Sequence, residues 1–174
     1  MEIWLVRHGQ TFGNKQQIIQ GHSGGKLTNL GQQQALLNQK KLDQVHFDDI
    51  YVSDSFRTQE TAQIILQSSD QSDVYLSSLL REKGGGKLEG KPLMTFRNQA
   101  YSSGLPFRDY KWEQGESWND VHNRAIKFIT NLWKIYLENE ETKQEKTNIN
   151  DSVKQEFINQ EDEKSLEKLI FLGK

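Results

Sequence analysis

Apolar and polar positions alternate in blocks along the 174-residue chain. Residues 3–6 form a short continuous apolar run, which fits a strand buried on both faces in a parallel sheet. Residues 9–28 are rich in Gly, Gln and Ser and read as a long loop. Thr28 has the chemistry of a helix N-cap, and Ala35, Leu36, Leu37 and Leu42 supply the apolar face of the helix it would open. Ile50, Tyr51 and Val52 predict a second strand. Asp54 is then placed to cap a helix carrying Ala62, Ile65 and Leu66. Val74, Tyr75 and Leu76 predict a third strand, with Leu79 and Leu80 behind it. Pro92 begins a helix through Tyr101. Ser117 opens a longer one, with Val121, Ala125, Phe128, Ile129, Leu132 and Ile135 at helical spacing. Residues 138–164 are polar and weakly periodic, and are expected to be a flexible insertion, helical in part. Residues 169–172 read as one more buried strand. The alternation predicts a single α/β domain: a mainly parallel sheet with helices on both faces.

Charge changes the picture little. Lys and Arg number 22 against 24 Asp and Glu, a net −2, which argues against a nucleic-acid partner. The balance is uneven: residues 138–164 hold nine acidic and four basic side chains, so the remainder is basic and suits an anionic small molecule. The absence of cysteine excludes disulfides, thiolate metal sites and a Cys nucleophile. No basic segment followed by an apolar stretch opens the chain, and no apolar run approaches the roughly 20 residues of a membrane span. The expectation is a soluble, cytoplasmic protein with no membrane partner.

The chemistry-bearing residues cluster at the ends of the expected strands. Arg7, His8 and Gly9 follow the first, Asp54 and Arg57 follow the second, and Arg81 and Glu82 follow the third. In open α/β sheets the ligand crevice lies beyond the carboxyl ends of the strands. An imidazole can attack phosphorus and hold it covalently. Guanidinium groups bind phosphate oxygens in pairs. A carboxylic acid can protonate the leaving oxygen and then deprotonate water. Gly9 would let its backbone approach a phosphate closely. Asn14, Gln20 and Gly21 would add amide donors. No metal or other cofactor is required, and no His/Asp cluster has ligand spacing.

Five ordered blocks carry a resemblance: residues 5–11 with Asn14; residues 27–35; residues 53–62; residues 80–82 with Gly86, Glu89 and Gly90; and residues 115–117 with Arg124. Together they cover roughly residues 1–135 and resemble the histidine phosphatase superfamily, the phosphoglycerate-mutase-like enzymes. Residues 15–21 and 80–91, with an extended segment before the last strand, resemble its TIGAR-type fructose-2,6-bisphosphatase branch. The resemblance implies a phosphatase acting through phosphohistidine. His8 would be the nucleophile and Glu82 the proton donor and acceptor. Arg7, Asn14 and Arg57 would hold the transferred phosphate, and Arg7, His8, Gly9, Gln10, Thr11 and Asn14 would line the substrate site. Fructose 2,6-bisphosphate is the expected substrate. A phosphoglycerate mutase, a broad phosphatase or an inactive phosphate-binding protein are the rivals.

One family element is missing. Members carry a second histidine, followed by Gly, after a late apolar strand. Residues 169–172 supply the strand, but only Gly173 and Lys174 follow. His22, His46 and His122 stand in other contexts. The domain is therefore expected to be C-terminally truncated. Losing one preorganised group facing the developing charge costs about 10²–10³ in rate, so activity is expected to be weak or absent.

Several residues invite a blander reading. Gly84, Gly85 and Gly86 lack the Lys-Ser/Thr ending of a phosphate loop and read as a flexible turn. Arg57 could pair with Asp54 on a helix surface, and His22 could be a solvated loop residue. Trp133 is expected in the core, and Trp112 over the pocket.

Overall fold

The computed structural model describes residues 2–67, 74–153 and 168–173, with the backbone alone for 97, 98, 139–153 and 168–173. Among the described residues four strands make one sheet, in the order β1 (Glu2–Arg7), β4 (Lys168–Gly173), β2 (Asp49–Ser53) and β3 (Val74–Ser77). Every neighbouring pair is parallel. Parallel neighbours need crossover connections. Helices α1 (Phe12–Lys15) and α2 (Asn29–Leu42) lie between β1 and β2 in the chain, and α3 (Phe56–Leu66) lies between β2 and β3. Helices α4 (Leu93–Ser102) and α5 (Trp118–Val153) precede β4. The last strand thus pairs on both sides, the place that suits its continuous apolar run.

Period-two alternation along β2 splits the core. Ile50 and Val52 pack on one face with Ala35 of α2, Ala62 and Ile65 of α3, and Phe47; Trp4 and Val6 of β1 join them. Tyr51 points to the other face, where its ring meets Phe128 of α5 edge-on at 5.5 Å. Phe128 and Leu132 pack there with Leu79 and Leu80. Helices therefore cover both faces, as the alternation of elements predicts. Burial, helped by Asp49 and Tyr75, pushes the Tyr51 hydroxyl up to about 12.

Local chemistry departs from the sequence reading in four places. In β1 only Trp4 and Val6 are packed, whereas Ile3 and Leu5 are exposed, so the strand is not buried on both faces. Within residues 9–28, Thr11 accepts from the Asn14 N–H at 3.0 Å while the Asn14 side chain accepts from the Thr11 N–H at 3.0 Å. This reciprocal capping box starts α1, a helix inside the expected loop. Ser55, not Asp54, stands at the N-cap of α3; Asp54 takes Arg81 in a two-pronged ion pair, with Nε to Oδ1 at 2.6 Å. Helix α5 runs on to Val153, so the described part of residues 138–164 is helical, and residues 154–167 lie outside the described residues. Trp133 is half exposed and stacks on Tyr136 rather than entering the core, because the buried stripe of α5 is Phe128 and Leu132; Ile129 and Ile135 are exposed. Thr28 does cap α2, accepting from the Gly31 N–H at 3.1 Å.

Candidate active site

Because all four strands run the same way, their carboxyl ends share one edge. Arg7 and His8 leave β1 there, Arg57 follows β2 in the first turn of α3, and Glu82 follows β3 after one 3-10 turn. Gly173 of β4 stands opposite Arg7, between the strands that deliver His8 and Arg57. A cavity of about 840 Å³ opens at this edge. It is lined by Arg7, His8, Gly9, Gln10, Asn14, Gln20, Gly21 and Glu82, among others.

His8 is 5 % exposed. Its Nδ1 lies 2.7 Å from the Gly9 carbonyl oxygen. A carbonyl only accepts, so the neutral ring carries its hydrogen on Nδ1 and a lone pair on Nε2. That Nε2 is buried and has no hydrogen-bond partner among the described residues. Burial lowers the His8 pKa below its ordinary value; the Gly9 hydrogen bond opposes this, Arg57 and Arg7 add to it, and Glu82 opposes it. The result is a neutral imidazole with an unsatisfied lone pair at neutral pH, the state a nucleophile needs.

Arg57 is almost wholly buried. Its Nη2 donates to the Gly21 carbonyl at 2.9 Å and its Nη1 to the Ser23 carbonyl at 3.2 Å. Glu82 Oε2 lies 3.6 Å from Nη2. Arg57 Nε has no partner among the described residues. Burial works against the charge, while Glu82 and Glu89 support it. Arg57 does not pair with Asp54 and stands behind the cavity wall rather than among its lining residues. Glu89 fastens the loop that Arg57 grips, accepting from the N–H groups of His22, Ser23 and Gly85 at 2.8–2.9 Å.

The remaining expected residues divide by use. Thr11 is fully buried as the cap of α1 and does not line the cavity. Asn14 lines it, with Oδ1 taken up by the capping box. Gln10 lines it while bound to Gln34 and Thr28. Gln20 lines it with most of its surface buried, and its Oε1 has no partner among the described residues. Gly9 has a second reason to lack a Cβ: one placed there would lie 2.3 Å from the Gly31 carbonyl oxygen, where the loop crosses the start of α2.

Residues that the sequence reading passed over complete the wall. Lys83 is 5 % exposed, with Nζ 4.0 Å from the centre of the Trp112 ring and 5.6 Å from that of Trp118. Burial lowers its pKa; Glu116 and Asp120 oppose that. Lys41, Gln34, Phe96 and Phe107 also line the space, and Trp112 does as expected. Glu82 is the only carboxylate among the described lining residues, facing Arg7, Lys41 and Lys83. The site is thus a basic cavity with one acid and one free imidazole nitrogen. Among the described residues, no group of three His, Asp or Glu is placed to hold a metal ion.

The profile of the histidine phosphatase superfamily (branch 1) matches residues 3–142. The fructose-2,6-bisphosphatase TIGAR B of Danio rerio is 36% identical over 140 residues, 78% of this chain and 54% of its own. A Cronobacter sakazakii protein named as a probable phosphoglycerate mutase, GpmB, is 36% identical over 130 residues, 71% of this chain and 59% of its own. The chain therefore spans little more than half the length of these relatives. The crystal structure of a phosphoglycerate mutase from Bacillus anthracis superposes with a TM-score of 0.72 at 20% identity, over 98% of this chain and 73% of that one, which is a likeness of fold. Matched over most of its length by profile and relatives alike, the chain belongs to the histidine phosphatase superfamily.

Proposed function

We propose that this chain hydrolyses a phosphomonoester through a phosphohistidine on Nε2 of His8. The observation that carries the proposal is the tautomer: the Gly9 carbonyl takes the Nδ1 hydrogen and leaves Nε2 buried, lone-paired and unpartnered beside a basic cavity. In the first half-reaction the Nε2 lone pair attacks phosphorus and the bond to the leaving oxygen breaks. Glu82, as the carboxylic acid, gives that oxygen its proton. In the second half, the Glu82 carboxylate takes a proton from water, the water oxygen attacks phosphorus, and the P–N bond electrons return to Nε2. Alcohol and inorganic phosphate leave. Arg7, which lines the cavity, faces the charge that develops on the equatorial oxygens, and Arg57 adds its positive charge from behind the wall. Four residues linked to the resemblance are also delivered by the strand ends: Arg7, His8, Arg57 and Glu82.

Fructose 2,6-bisphosphate is the substrate we favour. Hydrolysis at carbon 2 needs a site for the transferred phosphate and a second anion site for the one retained. Lys83 and Lys41 supply cationic wall beyond Arg7, and a space of about 840 Å³ suits a sugar bisphosphate. The TIGAR likeness supports the same choice. A mutase, which would return the phosphate to a bound product instead of to water, is the second reading; it rests on the GpmB relative. Product analysis decides between them. Release of inorganic phosphate and fructose 6-phosphate supports the first. Interconversion of phosphoglycerates without release supports the second, and ligand binding with no turnover would favour a phosphate-binding protein.

A further inference from the structure

Glu82 lies in a stretch, residues 81–85, that belongs to no helix or strand. A general acid must nevertheless be placed to within about 0.5 Å of its working position. Its backbone is held from outside. The Glu82 carbonyl oxygen accepts from Arg124 Nη2 at 2.8 Å and lies 2.9 Å from His22 Nε2. Arg124 also donates from Nη1 to the Leu79 carbonyl at 2.8 Å, so one guanidinium spans the turn that delivers the acid. Glu116 fixes that guanidinium, with Nε to Oε1 at 2.9 Å and Nη2 to Oε2 at 3.0 Å. The same Oε2 accepts from the Gly84 N–H at 2.7 Å and lies 3.4 Å from His22 Nε2.

His22 Nε2 therefore faces two oxygens that can only accept, so it carries the hydrogen. Burial pushes the Glu116 carboxyl up, but the Arg124 and Gly84 hydrogen bonds outweigh it, and the net shift is downward. His22 also sits between Gly21 and Ser23, whose carbonyls orient Arg57. One network thus joins the loop that holds the Arg57 guanidinium to the backbone of the acid. It is assembled from three distant segments: the loop after α1, the turn after β3 and the start of α5.

We infer that Arg124, Glu116 and His22 are positioning residues for the general acid: they hold the Glu82 backbone so that its carboxyl reaches the leaving oxygen of a phosphate on His8. None of the three lines the cavity. The inference rests on the phosphohistidine reading above. It makes a claim that a merely structural brace would not. Loss of the network should mimic loss of the acid, and an acid matters only when the leaving oxygen is basic.

The test measures the rate of phosphohistidine formation in single turnover, with glycerol 3-phosphate and with p-nitrophenyl phosphate, whose phenolate leaves without a proton. Glu82→Gln should slow the alkyl ester about 10²-fold or more and the aryl ester little. Arg124→Met and His22→Phe should reproduce that split at about 10-fold or more, with Arg124→Lys between them and wild type. Equal losses on both esters, or no loss, overturn the inference while leaving the phosphatase reading intact. A wild-type chain that never labels His8 overturns that reading and the inference with it. Amide hydrogen exchange needs no turnover: His22→Phe should speed exchange at residues 82–85 and leave residues 50–53 unchanged. Unchanged exchange at 82–85 also overturns it.

Discussion

The Gly9 carbonyl oxygen stands 2.7 Å from Nδ1 of His8, and this one contact decides which ring nitrogen is available for chemistry. It also ties the nucleophile to the backbone of the next residue, so the ring cannot turn without losing the bond. Burial adds a second effect, since a charged imidazole is disfavoured there. The His8 pKa should lie below 6.5, its ordinary value. For stability the sign follows from linkage. Below the depressed pKa the folded state must carry a charge it resists, so this contribution is present above 6.5 and is lost as pH falls through the folded value. An NMR titration of the ring checks the pKa, and His8→Asn should soften the acid loss of stability seen in urea unfolding. A ring titrating at or above the ordinary histidine value would contradict this.

Arg57 links stability to function. Its guanidinium satisfies the Gly21 and Ser23 carbonyls in a buried setting. Arg57→Met removes both donors and should cost about 2–4 kcal/mol of folding stability, alongside a large loss of phosphate affinity. Arg57→Lys should keep the charge but recover only part of the stability, since an ammonium cannot span the two carbonyls as the planar guanidinium does. Urea unfolding and calorimetry with phosphate or vanadate would read the two effects separately.

Lys83 bears on the choice of substrate. It rests on Trp112 and Trp118 with its ammonium at the cavity wall. If it binds the retained phosphate, Lys83→Met should raise KM for fructose 2,6-bisphosphate about 10-fold or more and change KM for a monophosphate little. Equal effects on both would remove the support for a bisphosphate.

Gly9 sets a steric limit. A methyl group there would meet the Gly31 carbonyl oxygen at 2.3 Å, and backbone cannot move aside as a flexible side chain can. Gly9→Ala should destabilise the fold by about 1–3 kcal/mol and displace His8, since the two are consecutive. Thermal unfolding would measure the first effect and loss of labelling the second.

Much of this was readable from the chain. Strand ends carry Arg7, His8, Arg57 and Glu82, and parallel pairing brings those ends to one edge, so their convergence followed from periodicity and residue type, while their roles come from the family resemblance. Thr28 was legible as a cap because its side chain acts on residues three positions away. What escaped depended on long-range partners. The placement of β4 between β1 and β2 has no local signal. Lys83 precedes three glycines and looks like a turn residue; only two distant tryptophans make it a buried cation. Thr11 was expected at the ligand because it follows the His8 motif, yet its hydroxyl is spent on the capping box. His22 looked solvated, and its role emerges only from contact with Glu82, 60 positions away. Trp133 fits the helical apolar spacing, but α5 turns a narrower stripe to the sheet than the spacing alone suggests.

The central claim is that His8 Nε2 accepts a phosphoryl group. The most direct measurement is to mix the protein with fructose 2,6-bisphosphate labelled on the 2-phosphate, quench at times from milliseconds to minutes, and locate the label by peptide mapping. The account predicts acid-labile, base-stable phosphate that accumulates on His8 and is absent from His8→Gln. Wild-type protein that takes up no label, or a label that survives His8→Gln, would contradict it.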